Sequence, residues 1–175
     1  DDGDIPALAK MAEAVHEHGA LAGIELVHGG YSNANHYSRI PPIAPSLTSV
    51  NSYDPVQARA MTKSDIRDFR RWHRQAAVRS KQAGFDLVYV YAGHNLTLLM
   101  HFLSRRFNHR TDEYGGSLEN RARLFREVLE ETIDAVGDRC AVAVRFAVDE
   151  LLGPKGITCK SEGREVVEML AELPD

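Results

Sequence analysis

An α/β protein built on a parallel sheet is what this sequence predicts, and three features predict it. Helix-like and strand-like stretches alternate as α-β-α-β-α-β-α, and each strand-like stretch is a short apolar run rich in β-branched residues. The loops leaving the first two strands are far longer than the loops entering any strand. In parallel proteins the carboxyl ends of strands carry the chemistry, and long loops in a compact domain are usually functional.

The first helix is expected to begin at Asp4 as a cap, with Pro6 in its first turn and Gly19 as its stop. Leu8, Met11, Ala12 and Val15 recur at helical spacing and form its expected buried stripe. A strand follows over Leu21 to Val27 and is ended by His28-Gly29-Gly30. The next stretch, with Pro41, Pro42 and Pro45, shows no clear period.

Thr62 with Asp65 three residues later announces the second helix in the manner of a capping box. Ile66, Phe69, His73, Ala76, Ala77 and Ala83 are its expected buried face, and Gly84 ends it. Arg70, Arg71, Arg74 and Arg79 read as a solvated flank. The central strand is Phe85 to Tyr91, closed by Ala92-Gly93-His94. Ser117 caps a third helix with the stripe Leu118, Ala122, Phe125, Leu129, Thr132, Ile133 and Val136, and Gly137 terminates it. Ala141 to Val148 is the third strand, and Gly163 to Leu170 the fourth helix.

Three parallel strands with open edges make a poor independent fold. The expectation is therefore a partial (β/α)8 TIM barrel, since a whole one needs roughly 250 residues. Residues 1–175 read as an internal fragment, with a further strand expected to start near Leu173-Pro174-Asp175.

Composition narrows the function classes. The net charge of -4 gives no basic footprint for nucleic acid, and no apolar run approaches the roughly 20 residues that cross a bilayer. Asp1-Asp2-Gly3-Asp4 is acidic where a secretory signal needs positive charge. The two cysteines, Cys140 and Cys159, lack C-x-x-C spacing, which points to a reducing cytoplasmic compartment and assigns neither to a metal.

Glu25, Arg145 and the Tyr91/His94 pair stand toward the carboxyl ends of the three strands, where a barrel would gather them. A guanidinium in an apolar strand needs an anionic or strongly accepting partner. A direct Glu25–Arg145 bridge is the plain alternative to a binding role, and a loop-holding histidine is the plain alternative for His94. For His28 and Asp149, which also sit at strand ends, a structural role is expected.

The run Arg110-Thr111-Asp112-Glu113-Tyr114-Gly115-Gly116-Ser117-Leu118-Glu119-Asn120-Arg121-Ala122-Arg123, preceded by His101-Phe102-Leu103-Ser104 and Asn108, resembles the signature of the old yellow enzyme and NADH:flavin oxidoreductase family. Glu25-Leu26-Val27-His28-Gly29-Gly30, Pro42-Ile43-Ala44-Pro45-Ser46 and Val144-Arg145-Phe146 fall in that family's order. The resemblance covers nearly the whole chain as the third to fifth strands of an FMN-binding barrel. Ene-reductases of the family usually carry glutamine where Glu25 stands, and follow the histidine with Gly-Tyr. Here Asn95-Leu96 follows His94, and leucine cannot donate a proton to an alkene.

Glu25 with Gly29-Gly30, and Val88-Tyr89-Val90-Tyr91 with His94, are similar instead to the amine-oxidising branch of trimethylamine, dimethylamine and histamine dehydrogenases. The wording around Tyr91, His101 and Arg145 is similar to bacterial demethylases of dimethylglycine or N-methylproline. That resemblance implies FMN as cofactor, with Arg145 beside its pyrimidine edge and Glu25 accepting a ring N–H. It implies Tyr91 and His94 as a hydrogen-bonded pair beside an N-methylated amine, completed by an aspartate beyond Asp175. A 4Fe-4S cluster outside this chain, an electron-transfer protein and a homo-oligomer are further implications. An NAD(P)H-dependent ene-reductase of the 2,4-dienoyl-CoA reductase type and a non-catalytic barrel segment are the rival readings.

Overall fold

The structure, a computed structural model, describes residues 1–32, 38–49 and 56–173. Of the expected strand start at Leu173-Pro174-Asp175, Pro174 and Asp175 lie outside the described residues. In chain order the elements are α1 (Ile5–His16), β1 (Gly23–Leu26), β2 (Ile43–Ala44), β3 (Thr48–Ser49), β4 (Gln57–Ala60), α2 (Lys63–Gln82), β5 (Leu87–Ala92), α3 (Leu98–Leu103), α4 (Leu118–Val136), β6 (Ala141–Phe146) and α5 (Glu162–Ala171). The three longer strands pair in parallel in the order β1-β5-β6, as the alternation of elements predicts.

Side chains alternate across this sheet and give it two unlike faces. Val88, Val90 and Ala92 of β5 are fully buried, and Val142, Val144 and Phe146 of β6 pack into the same helix-covered layer. Phe69 of α2 and Leu124, Phe125 and Val128 of α4 fill that layer. The opposite face carries Glu25, Tyr89, Tyr91, Ala143 and Arg145 and no described helix covers it. An apolar groove of about 650 Å³ lies beside β6, lined among others by Ile133, Val142, Phe146, Val167 and Leu170.

Caps set the helix boundaries that the sequence announces. The Thr62 hydroxyl accepts from Asp65 N, and the Asp65 carboxylate accepts from Thr62 N at 2.7 Å and from Arg59 at 2.7 Å. Ser117 Oγ accepts from Asn120 N at 3.2 Å at the start of α4. The arginines of α2 are paired rather than merely solvated. Arg70 bridges Glu127 and Glu131, Arg74 meets Asp134, Arg71 meets Asp68 and Arg79 meets Asp2.

Three expectations are corrected. Met11 is 61% exposed and Val15 37%, and α1 packs through Ile5, Leu8, Ala9 and Ala12 against Ala22, Ala83 and Phe85. Its real stripe keeps the helical spacing but lies nearer the N-terminus. Asp4 makes no side-chain cap to α1. The loops are also not formless, because β2, β3 and β4 make a small sheet after β1, and α3 forms after β5.

The family-like signature turns out to be a staple between these loops. Asn108 Nδ2 donates to the carbonyls of Phe102 and Tyr114, both at 2.7 Å. The Arg110 guanidinium binds Asp112 and donates to the carbonyls of Pro45 at 3.0 Å and Met61 at 2.6 Å. Each bond satisfies a backbone carbonyl that regular structure leaves open.

His73, between α2 and α4, is held down to about pH 4 by burial, and His101 of α3 likewise to about 4. Both are buried, whereas in the unfolded chain they titrate near 6.5. Their contribution to stability is therefore complete above about pH 6.5 and falls toward pH 4, by about 1.4 kcal/mol per pH unit for each histidine. Urea midpoints of the full-length protein across that range check this. His73→Asn, which does not titrate, is expected to flatten the decline, and an unchanged slope would refute the assignment.

Candidate active site at the carboxyl ends of the strands

The register places Tyr91 of β5 opposite Arg145 of β6, and Glu25 of β1 opposite Tyr89. Arg145 reaches across the open face, and its Nη1 donates to Glu25 Oε2 at 3.1 Å and Oε1 at 3.4 Å. Its hydrogen bond to the Glu25 carboxylate holds the guanidinium above its ordinary pKa. Arg145 is 53% exposed and Glu25 33%, so solvent screens this pair, and its contribution to stability is small. The expected bridge is thus real, and it leaves a cation and an acceptor presented on an uncovered surface.

The same guanidinium lies 5.0 Å from the centroid of the Tyr91 ring. Tyr91, 8% exposed, meets His94 Nδ1 through its hydroxyl, with the two rings edge-on at 5.8 Å. Glu25, Arg145, Tyr91 and His94 therefore form one continuous chain of contacts. Gly93 makes the turn close, because a Cβ built there would stand 2.8 Å from Tyr91 Cε2.

His94 and Asn95 have φ of 53° and 54°. Successive left-handed residues other than glycine cost about 1–3 kcal/mol each for ordinary side chains, less for asparagine. His94 is exposed, while Asn95 is tied to Tyr31 and His101 beneath it. Nothing in the sequence reading selected Tyr31, Asn95 or His101 as part of the site. The available signal was His101 itself, a polar residue inside Leu98-Leu99-Met100-His101-Phe102-Leu103, all of it buried.

His28 and Asp149 both make local contacts of the kind a structural role asks for. His28 accepts from Gly30 N at 3.0 Å and packs edge-on against Phe69. Asp149 accepts from Leu151 N at 2.8 Å and Cys159 N at 3.1 Å. Cys140 is a buried free thiol that donates to Phe85 O, and Cys159 is exposed and free.

A flavin edge asks for a cation where negative charge develops and an acceptor for its imide N–H. Arg145 uses Nη1 on Glu25, and among the described residues its Nε and Nη2 donate to none. Arg145 and Glu25 set a cation and an acceptor of those kinds side by side.

The model of the NADH:flavin oxidoreductase / NADH oxidase family matches residues 1–175. The chain belongs to that family. Its similarity runs to the amine-dehydrogenase branch, and with the parallel sheet it is a segment of an α/β barrel of the old yellow enzyme type. It is 37% identical over its whole length to dimethylamine dehydrogenase of Hyphomicrobium sp. (strain x), of which it covers 24%. The solved structure of 6-hydroxypseudooxynicotine amine oxidase from Pseudomonas geniculata N1 is 52% identical, with a TM-score of 0.96 over 99% of this chain and 26% of that one. Histamine dehydrogenase from Rhizobium sp. 4-9 is 50% identical, with a TM-score of 0.93 over 99% of this chain and 25% of that one. The chain thus spans about a quarter of the length of these relatives. Among the described residues no helix is long and apolar enough to cross a membrane.

Proposed function

We propose that residues 1–175 form an internal segment of an FMN-binding TIM-barrel domain, and that the protein oxidises a small amine. The observation that carries this reading is the unbroken contact chain from Glu25 through Arg145 and Tyr91 to His94 on the uncovered sheet face. Bound FMN would accept the two electrons leaving the substrate. Arg145 and Glu25 would hold its pyrimidine edge, with the guanidinium offsetting the charge that reduction develops there. Tyr91 and His94 would share a proton across their contact and accept the one that keeps the amine's lone pair occupied in water. The finer reading is oxidative N-demethylation of an N-methylated amine or amino acid of the dimethylglycine or N-methylproline type.

Support for amine rather than alkene chemistry comes from the residue two after His94. Leu96 is 49% exposed and carries no proton to give. The similarity to dimethylamine and histamine dehydrogenases points the same way. A 4Fe-4S cluster and an electron-transfer protein, both outside this chain, belong to the proposal, as does a cytoplasmic setting in keeping with two free cysteines.

The test is anaerobic incubation of the full-length flavoprotein with dimethylglycine, N-methylproline, dimethylamine and histamine, and separately with NADPH plus a cyclic enone. Bleaching of the flavin by an N-methylated substrate with release of formaldehyde is the expected result. Bleaching by an amine without formaldehyde keeps amine oxidation and removes demethylation. Bleaching by NADPH and by none of the amines, with colour restored as the enone is reduced, would make the protein an ene-reductase.

Within residues 1–175, Arg145→Leu breaks only the solvent-screened contact to Glu25 and the ring contact to Tyr91. The variant is expected to retain FMN about tenfold less tightly and to show a lower flavin potential, as a charge-assisted contact is lost. Flavin content and redox titration check this. No change in either would reduce Arg145 to a partner for Glu25.

A further inference from the structure

We propose that Asn95 is a positioning residue, clamped by Tyr31 and His101 so that its left-handed turn holds the His94 ring against the Tyr91 hydroxyl. The inference rests on the reading of Tyr91 and His94 as the substrate-facing pair. It adds three residues drawn from segments that pattern reading treats as unrelated loop.

Asn95 is held at both its side chain and its backbone. Its Nδ2 donates to Tyr31 Oη at 3.1 Å, and its carbonyl accepts from His101 Nε2 at 3.2 Å and from Ser32 Oγ at 3.4 Å. A carbonyl only accepts, so His101 must carry its proton on Nε2. Nδ1 of the same ring is buried and without a partner. The ring cannot turn over to exchange these roles, being packed 4.2 Å from the Tyr31 centroid and 5.6 Å from that of Phe107.

Gly30 secures this arrangement from the other side. With φ of 54°, it passes so close that a Cβ there would stand 2.6 Å from His101 Nδ1. Leu98 N donates to His28 O at 2.8 Å and ties the start of α3 to the end of β1. The turn is thus fixed from the loop after β1 and from α3 together. A two-residue left-handed turn has no such stiffness of its own, because ordinary residues are strained in it. Relaxed toward common φ values, the chain would carry the His94 imidazole away from Tyr91.

The decisive experiment uses the full-length holoenzyme with the amine that reduces it. Asn95→Ala and His101→Leu are expected to slow flavin reduction at saturating amine at least about tenfold, because misplacing a reacting group by roughly 1 Å can cost 10²-fold. They should also displace the pH profile of that rate, leave FMN content unchanged and alter KM less than kcat. His101→Gln, which keeps an N–H near the Asn95 carbonyl, should recover to within about threefold of wild type. A crystal structure of Asn95→Ala is expected to show the His94 ring withdrawn from the Tyr91 hydroxyl.

Wild-type rates and pH profile in Asn95→Ala and His101→Leu, or an unmoved His94 in that crystal, would overturn the inference. If His101→Leu fails to fold, Tyr31→Phe removes one hydroxyl from the clamp and is held to the same criteria. His94→Ala is run in parallel to separate the two failures. Slow His94→Ala with unaffected Asn95 and His101 variants defeats the clamp alone, whereas a fast His94→Ala defeats the reading on which it rests.

Discussion

His94→Ala in the full-length flavoprotein is expected to slow reduction of the flavin by its amine roughly 10²–10⁴-fold, the usual worth of a positioned acid–base group. FMN content should stay near that of the parent. The two expectations follow from different parts of the geometry. His94 touches Tyr91 and is exposed, whereas the contacts read as holding the flavin edge are those of Arg145 and Glu25. Deleting the imidazole leaves those in place. It removes the partner of the Tyr91 hydroxyl, whose ring remains packed beneath Arg145. Tyr91→Phe is the matching variant, because it keeps the packing and deletes the shared proton. Stopped-flow reduction under anaerobic conditions measures both. Loss of flavin from His94→Ala would return this histidine to a loop-holding role, and an unchanged rate would remove it from the chemistry.

What could be read from the sequence divides along physical lines. The parallel order β1-β5-β6 and the helices capped by Thr62 and Ser117 were legible, because alternation and capping are local and repeat over many residues. So was the gathering of Glu25, Arg145, Tyr91 and His94, since parallel strands bring their carboxyl ends together. The helix α3 was not legible, because six wholly buried residues carry no amphipathic period. Two-residue strands such as Ile43–Ala44 fall below any pattern length. The face of α1 misled for another reason, since the helix buries Ala12 and leaves the larger Met11 and Val15 outside. The Tyr31–Asn95–His101 clamp joins residues 64 positions apart through a single hydrogen bond and residues 70 apart through a ring contact, and no spacing rule encodes that. The long signature around Arg110 was legible as a motif, yet its side chains brace loops rather than face the open sheet.

Arg121→Met is expected to destabilise the full-length protein by about 3–5 kcal/mol, the usual cost of stripping one partner from a buried ion pair. Arg121 is 1% exposed on α4 and serves three separate segments. Its Nη2 donates to Glu162 Oε1 at 2.6 Å, its Nη1 to the carbonyl of Leu103, and its Nε to Gly116 O at 3.2 Å. Methionine fills a similar volume but donates nothing, so a carboxylate and two carbonyls lose their donor at once. Arg105 still reaches Glu162, but from a position 55% exposed, where solvent competes for it. The start of α5 cannot shift to find another partner, because the backbone at Gly163 already presses on Val148, and a Cβ there would stand 1.9 Å from Val148 O. Arg121→Met with Glu162→Leu removes both charges and should recover part of the loss, since an apolar pair can replace a buried ionic one. Urea unfolding of the single and double variants measures the coupling. A loss below about 1 kcal/mol for Arg121→Met would show that solvent already serves these groups. The same experiment reaches toward the site, because the start of α5 touches, through Gly163 and Val148, the loop that follows the strand carrying Arg145. A large loss accompanied by weaker FMN retention would make this buried pair the support beneath the flavin edge.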